Sequence, residues 1–342
     1  MNRQRAFLAA VFASIALLAV LVWGRMALRS NASQAAPQEP LKDFNVWRGD
    51  LNTPFRFVAY GDTRFHDAKD TEPANPVARV ALVQRIAEAS PSFICFTGDI
   101  VYDGDSTDDW KNFDAETAIW REKQIPVYPA LGNHDLHGKL EVALDNYFHR
   151  FDLGRDRYYT VHAANTLMFV LDSSLDESGG LQGEWLARKL NNIPSGIDFV
   201  FVMDHHPPYT SSSDAKMFGG GHSARSSEQA LAKMLEERQA HAPYRIVMFS
   251  GHVHNYERHE HGGVTYFVSG GGGAHAYPIE RAADDPFQSK EINYHYLLVE
   301  VDRGQLKVTM NRLDLSSGQA VWTQPDSVKI RVPAADAMKA AR

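Results

Sequence analysis

The segment FRFVAYGDTR, residues 55–64, sets the pattern of this chain: a run of apolar and β-forming residues ends in Gly61-Asp62-Thr63-Arg64. An apolar run of this length bounded by polar residues predicts a buried strand followed by a loop. A carboxylate placed directly after a buried strand indicates a site at the edge of a sheet. Asp62 is therefore the first candidate ligand.

Four further segments repeat this arrangement, each with an oxygen or imidazole donor just after an apolar run. They are Gly98-Asp99-Ile100-Val101-Tyr102, Gly132-Asn133-His134-Asp135, Val202-Met203-Asp204-His205 and Gly251-His252-Val253-His254. Any one of them is a weak signal, because most such residues lie in turns or on the surface. Five segments in this order, all at the ends of predicted strands, indicate one shared site.

The donors in these segments meet the needs of two metal ions about 3.5–4 Å apart, which require a bridging carboxylate and further oxygen and nitrogen ligands. A mixed set of this kind suits Fe, Mn and Zn. The candidate ligands are Asp62, Asp99, Tyr102, Asn133, His205, His252 and His254. Two alternatives remain open from the residues alone: a packing role for Tyr102, and ligation by His206 in place of His205.

Helical patterns alternate with the predicted strands, at about 76–89, 110–122, 140–150, 182–191 and 225–240. This alternation predicts an α/β layered domain. Towards the carboxyl terminus strands predominate, at 294–301, 305–311, 319–323 and 328–331. That change indicates a second sheet, or one that turns antiparallel.

Composition excludes some classes of partner. The chain of 342 residues has a formal charge of −7 and no long basic run, so nothing in it indicates a nucleic-acid surface. An acidic chain can still bind phosphate, because bound metal ions dominate the local field. The single cysteine, Cys95, lies in an apolar run, which predicts a buried thiol and no disulfide within the chain.

The amino terminus has the pattern of an export segment. Arg3 and Arg5 precede an uncharged apolar stretch at 6–23, and Arg25 and Arg29 follow it. Its 18 residues are about the lower limit for a membrane-spanning helix. We favour an uncleaved anchor over a cleaved signal peptide. Either alternative predicts a periplasmic location, with membrane contact only through this segment.

The five segments resemble those of the calcineurin-like metallophosphoesterases, and within them are most similar to the purple acid phosphatases. Tyr102 stands three residues after Asp99, where that branch has its tyrosine ligand. The segment 251–258 is similar to its Gly-His-x-His-x-Tyr-Glu-Arg motif, and 202–207 to its Val-x-x-His-x-Pro pattern. The resemblance covers about 55–310 and implies a four-layer αββα sandwich. Together with the apolar stretch and the composition, this predicts an anchor or signal segment (1–29), a linker (30–48), the metallophosphoesterase domain (49–332) and a tail (333–342).

The resemblance also implies roles for the ligands. It assigns Asp62, Tyr102 and His254 to a first metal, expected to be ferric iron. It assigns Asn133, His205 and His252 to a second, expected to be Zn, Mn or ferrous iron, with Asp99 as the bridge. His134 is expected to stabilise the transition state or to protonate the leaving group.

Several residues around the ligands have open roles. Asp135 is expected to orient His134 or to cap a helix. Arg64 stands where the family has histidine or glycine, and it is expected to pair with a substrate phosphate or with a structural carboxylate. His222 and His275 lie in glycine-rich loops, 219–221 and 270–273, which are either turns or substrate contacts. His259 and His261 are expected in an exposed turn.

The predicted function is hydrolysis of a small phosphomonoester by in-line attack of a metal-bound hydroxide. A phosphodiesterase acting on cyclic nucleotides or other diesters is the nearer alternative, because the metal core does not distinguish the two. The second alternative is a non-catalytic, metal-containing binding module of the cell envelope. The presence of His134 argues against that module, since a purely structural metal site does not need it.

Overall fold

Two mixed β-sheets carry the predicted site in a computed structural model that describes residues 43–45, 51–212 and 222–333. This mixed α/β fold with two sheets confirms the predicted class. The predicted segment 1–29, most of the linker and the tail beyond 333 lie outside the described residues, as do Gly219 to Gly221. Within the described part of the chain, no helix is long and apolar enough to cross a membrane.

The strands of the described residues are β1 (Asp43–Asn45), β2 (Phe55–Tyr60), β3 (Ile94–Phe96), β4 (Val127–Pro129), β5 (Tyr159–Ala163), β6 (Thr166–Val170), β7 (Phe199–Met203), β8 (Arg245–Ser250), β9 (Tyr256–His261), β10 (Val264–Ser269), β11 (Tyr294–Asp302), β12 (Gln305–Asp314), β13 (Val321–Thr323) and β14 (Ser327–Arg331). The helices are α1 (Pro76–Ala89), α2 (Thr107–Glu116), α3 (Ala118–Glu122), α4 (Leu140–Arg150), α5 (Gly180–Asn191) and α6 (Ser226–Gln239), with a 3₁₀ turn at His134–Leu136.

The first sheet has the strand order β1-β5-β6-β7-β8-β10-β9, and the second has the order β13-β12-β11-β2-β3-β4, with β14 also paired to β12. Strands β2, β3 and β4 are parallel, as are β6, β7, β8 and β10. Strand β11 pairs with β2, β12 pairs with β11, and β13 and β14 pair with β12, all in antiparallel orientation. The carboxyl-terminal strands therefore extend the second sheet, which turns antiparallel at β11.

The two sheets pack face to face through aromatic side chains. Phe57 of β2 is fully buried and stacks on Phe93, with ring centroids 4.9 Å apart. Its other edge meets Phe201 of β7 at 5.1 Å and Phe249 of β8 at 6.1 Å. Helix α1 packs against β11 of the second sheet, and α6 packs against β8 and β10 of the first. The side chain of Phe57 therefore links the sheet that carries the first ligands to the sheet that carries the last.

We expect Phe57→Ala to lower the free energy of unfolding by about 3–5 kcal/mol, because it leaves a cavity between the sheets. The midpoint of urea denaturation, with its slope, measures the change. Leu181→Ala is the control: this side chain is 59% exposed, and surface substitutions usually stay within about 0.5 kcal/mol. A cost below about 1 kcal/mol for Phe57→Ala would contradict the packing described here.

Three predictions of secondary structure need correction. Helix 110–122 is two helices, α2 and α3, because Thr117 turns out of helical geometry between them and its hydroxyl bonds back to the carbonyl of Phe113. Strands β5 and β9 were not predicted as strands. Residues 43–45, assigned to the linker, form β1 and pair with β5 in parallel.

Candidate metal centre

The predicted ligands converge because the carboxyl ends of parallel strands from both sheets meet at one place. Asp62, Asp99 and Asn133 follow β2, β3 and β4, while His205 and His252 follow β7 and β8. Backbone hydrogen bonds join the two edges: Gly61 N donates to Ser269 O at 3.0 Å. In open α/β sheets this is the edge at which ligands bind.

Three of the candidate ligands have left-handed backbone geometry. The φ angles are 56° at Asp62, 53° at Asp99 and 68° at His252. A residue other than glycine in this region costs about 1–3 kcal/mol, and such residues cluster at functional sites. The sharp turn that aims each side chain therefore lies at the ligand itself. Of the four glycines that precede candidate ligands, Gly98 has a positive φ, of 89°, whereas Gly61, Gly132 and Gly251 do not.

The glycine at 251 serves close packing instead. A Cβ there would lie 2.4 Å from Asp62 Oδ2, and one at Gly270 would lie 2.9 Å from the same oxygen. The loop 270–273 is thus buried and packed against Asp62 and its neighbours. This close approach lets His252 N donate to both Asp62 oxygens, at 3.1 and 2.9 Å.

The donors predicted for the second metal form a tight cluster. Asn133 Oδ1 lies 3.0 Å from His205 Nε2 and 3.1 Å from His252 Nδ1, and the two ring nitrogens are 3.2 Å apart. Asp99 Oδ1 is 3.3 Å from His205 Nε2. Four donors about 2.0–2.1 Å from one ion form a tetrahedron with edges of about 3.3–3.4 Å. The observed spacings fit such an ion.

Hydrogen bonds outside the cluster direct imidazole lone pairs into it. His205 Nδ1 lies 2.8 Å from Thr97 O and His254 Nδ1 lies 3.0 Å from His275 O. A carbonyl only accepts, so each Nδ1 carries the proton and each Nε2 presents a lone pair. His254 Nε2 is buried, has no hydrogen-bond partner among the described residues and lies 3.7 Å from Asp62 Oδ1. An orphaned ring nitrogen beside a carboxylate is the arrangement expected of a metal ligand.

The charges of the site also favour a cation. Burial raises the pKa of Asp62, and repulsion by the neighbouring Asp99 raises it further. Burial acts against ionisation of Asp99 too, but the Arg64 guanidinium and the hydrogen bond from the backbone N of His134 favour its carboxylate and lower its pKa. Burial lowers the pKa of His205 and of His254, which keeps them in the neutral, metal-binding form. The residues present therefore fit two bound metal ions.

Tyr102 is the exception among the predicted ligands. Its ring lies between two histidines, 5.3 Å from the ring of His66 and 5.3 Å from that of His134. Its hydroxyl forms no hydrogen bond with a described residue. Ligation by Tyr102 therefore stays a prediction, while Asp62, Asp99, His205, His252, His254 and Asn133 come together as predicted.

Arg64 meets a carboxylate, but not a structural one. Its Nη2 lies 3.4 Å from Asp99 Oδ2, the predicted bridging ligand, and its side chain is 15% exposed. The Nε atom is buried without a hydrogen-bond partner. Arg64 therefore places a fixed positive charge beside the two carboxylates, with donor capacity still unused.

His134 and Asp135 both lie at the site, but the role of Asp135 differs from the one expected. His134 Nδ1 donates to Tyr102 O at 2.6 Å, and its backbone N donates to Asp99 Oδ1 at 2.8 Å. Burial lowers the pKa of His134 to about 4. The expectation that Asp135 orients His134 or caps a helix is wrong. Its carboxylate accepts from Gly132 N at 2.9 Å and from Ile100 N at 2.9 Å, and so ties two ligand loops together.

The two histidines considered as substrate contacts, His222 and His275, lie in different surroundings. The ring of His222 lies 4.7 Å from that of His252 and 5.3 Å from that of His254, at the metal cluster. The His275 ring turns away, and its Nε2 bonds to Thr71 O at 2.6 Å. Its contribution is the carbonyl that orients His254, so the side-chain role expected for His275 needs correction.

The prediction that His259 lies in an exposed turn also needs correction. It lies in strand β9, is 6% exposed, and sits 3.2 Å from Asp285 and 3.3 Å from Glu257. Glu257 in turn accepts from Thr210 Oγ1 at 2.6 Å and from Ser211 N at 2.7 Å. Sequence reasoning missed this buried polar group because β9, YERHEH, lacks an apolar alternation.

Comparison with known proteins agrees with this fold. Residues 55–256 match the profile of the family described as calcineurin-like phosphoesterase. The match spans more than half of the chain, which therefore belongs to that family.

Among curated proteins, the chain is similar to purple acid phosphatase 15 of Arabidopsis thaliana. The two are 24% identical over an alignment of 248 residues, and the match covers 61% of this chain and 45% of that protein. The chain thus spans less than half the length of this relative.

Two solved structures share the fold. Purple acid phosphatase PPD1 from yellow lupin (Lupinus luteus) superposes with a TM-score of 0.63 and 19% identity, covering 82% of this chain and 54% of that one. GAP50, described as the anchor in the inner membrane complex of Plasmodium, gives a TM-score of 0.56 and 16% identity, covering 84% and 94%. At these identities the likeness concerns the fold alone.

Proposed function

We propose that this chain is an exported phosphoesterase with two metal ions that hydrolyses phosphomonoesters. The observation that carries the proposal is the cluster of Asn133, His205, His252 and Asp99, whose donor atoms lie 3.0 to 3.3 Å from their neighbours. Acceptor atoms in such contact repel one another unless a cation lies between them. The four-layer αββα arrangement belongs to this proposal and is supported by the packing of α1 and α6 on different sheets.

When bound, two such ions supply Lewis-acid chemistry: they lower the pKa of water and neutralise charge on a phosphoryl group. The chain's own residues supply orientation. Asp135 and the backbone N of His134 hold the ligand loops in place. His134, 9% exposed, directs its free Nε2 away from Tyr102 O and is the candidate to contact the reacting phosphate or the leaving group.

Charge favours the monoester over the diester. A monoester dianion carries more negative charge than a diester, and Arg64 adds a fixed positive charge beside Asp99. The ring of His222 lies over those of His252 and His254, where a phosphate ester would enter. A diester needs room for a second organic group instead.

The test is kcat/KM of the full chain on p-nitrophenyl phosphate and on bis-p-nitrophenyl phosphate, with Fe, Zn and Mn supplied in turn. We expect at least a tenfold preference for the monoester, which corresponds to about 1.4 kcal/mol. A preference for the diester would move the assignment to a phosphodiesterase. Absence of metal-dependent turnover of either ester, by a folded and metal-loaded protein, would leave the non-catalytic binding module.

Export is part of the proposal and rests on the apolar stretch 6–23 with its flanking arginines. We expect an uncleaved helix to anchor the domain on the periplasmic face. Protease added to spheroplasts measures this: an exported domain is degraded, and a domain that remains protected contradicts export.

A further inference from the structure

The second metal cluster has a third histidine that the family resemblance does not assign. His206 directly follows His205, and its ring is 9% exposed. Its ring centroid lies 4.2 Å from that of His252 and 4.9 Å from that of His205. One ring nitrogen from each of the three lies within 4.8 Å of the others, which is close enough for all three to reach one ion.

Its hydrogen bond leaves one nitrogen for this cluster. His206 Nδ1 lies 2.8 Å from Ser173 Oγ, itself buried, and the backbone N of His206 lies 3.4 Å from the same oxygen. Ser173 Oγ can accept from Nδ1–H, and in that tautomer Nε2 carries the lone pair that can bind a metal. His205 shows the same pattern, with Nδ1 engaged by Thr97 O. Metal-binding histidines usually donate their other ring N–H to such a partner.

From this geometry we propose that His206 supplies an additional imidazole donor to the second metal and thereby selects Zn²⁺ over Mn²⁺ there. The inference rests on the proposed dinuclear function. The site then has three imidazoles, the Asn133 amide oxygen and the Asp99 carboxylate. Imidazole donors suit Zn²⁺, whereas carboxylate, carbonyl and water donors suit Mn²⁺. Replacing one imidazole by an amide should therefore weaken Zn²⁺ binding more than Mn²⁺ binding.

The experiment measures metal affinity, not turnover. The full chain and its variants are titrated with Zn²⁺ and with Mn²⁺ against a chelator of known affinity, and X-ray absorption at the zinc edge counts the imidazole ligands. For His206→Gln we expect the Zn²⁺ Kd of the second site to rise more than about 100-fold, beyond the 10–100-fold typical of losing an outer partner. We expect a smaller rise for Mn²⁺ and one imidazole fewer at zinc.

Two further variants make the result specific. Ser173→Ala keeps the imidazole but removes its hydrogen bond, and should raise the Zn²⁺ Kd by about 10–100-fold. It also tests the proposal should His206→Gln fail to fold. His295→Gln is the matched control, because His295 is fully buried and also pairs with a serine, its Nε2 lying 3.2 Å from Ser269 Oγ. We expect this control to leave the Zn²⁺ Kd unchanged.

The outcomes separate the inference from the function on which it rests. A wild-type chain that fails to bind two metal ions overturns the proposed function. A wild type with two ions and a His206→Gln variant with the same Zn²⁺ Kd overturns only the role of His206. Unchanged metal binding with weaker binding of inorganic phosphate would make His206 a substrate contact, which also overturns the inference.

Discussion

Asp99→Ala should lose bound metal and phosphoesterase activity together, with kcat/KM falling by more than about 10³-fold. Asp99 is fully buried and lies between the two groups of donors. Its Oδ1 is 3.3 Å from His205 Nε2, and its carboxylate also belongs to a cluster with Asp62. Asp99 is the bridging ligand in the proposed site, so the substitution removes the bridge that the proposal requires.

Thermal stability gives an independent measurement of the same loss. Metal present at 100 times its Kd stabilises a folded chain by about 2.7 kcal/mol. We expect wild type to show this increment on metal addition and Asp99→Ala to lack it. Asp99→Asn is the companion variant, because it keeps an oxygen able to accept the hydrogen bond from His134 N. In the metal-free state it should be no more stable than wild type, because the lowered pKa of Asp99 means that the folded chain favours its ionised form.

Asp172→Asn is the matched control for this experiment. Asp172 is also fully buried, but it pairs with Arg157 and Ser174 rather than with any candidate ligand. It should keep the metal-dependent increment of stability. An Asp99→Ala chain that binds two metal ions and remains active would refute the dinuclear assignment altogether.

The strands that lead into the site could be predicted because buried strands of this kind consist of continuous apolar runs. The apolar runs of strand length at 55–60, 199–203, 245–250 and 264–269 coincide with β2, β7, β8 and β10. Strand β9 could not be found this way, since it buries polar side chains that are satisfied by distant partners. Tyr256 OH, for example, bonds to Asp326 Oδ2 at 2.7 Å across 70 positions of sequence.

The donor side chains of the site were predictable, but the groups that aim them were not. His205 and His254 are oriented by the carbonyls of Thr97 and His275. Every residue carries a carbonyl, so no residue type marks these positions. The role of Asp135 was missed for the same reason, because its partners are backbone N–H groups. The two adjacent histidines at 205–206 can be seen in the sequence, but from the sequence they were alternative ligands rather than two ligands of the same ion.

His134→Ala should retain both metal ions and yet slow turnover by about 10²–10⁴-fold. The structure explains why the two effects separate. The hydrogen bond to Asp99 Oδ1 comes from the backbone N of residue 134, which alanine keeps. The imidazole itself donates to Tyr102 O and contacts none of the candidate metal ligands except through the ring of Tyr102. Removing it therefore deletes the group proposed to act on the phosphate while keeping the backbone hydrogen bond to Asp99.

His137→Ala is the control, because its ring lies only 4.2 Å from that of His134 but is about half exposed and pairs with Asp103. We expect metal content and kcat close to wild type for this variant. For His134→Ala the loss should fall on kcat rather than on KM, since an interaction that forms chiefly in the transition state affects both kcat and kcat/KM equally. Loss of metal from His134→Ala, or a kcat within threefold of wild type, would show that this histidine does not act on the reacting phosphate.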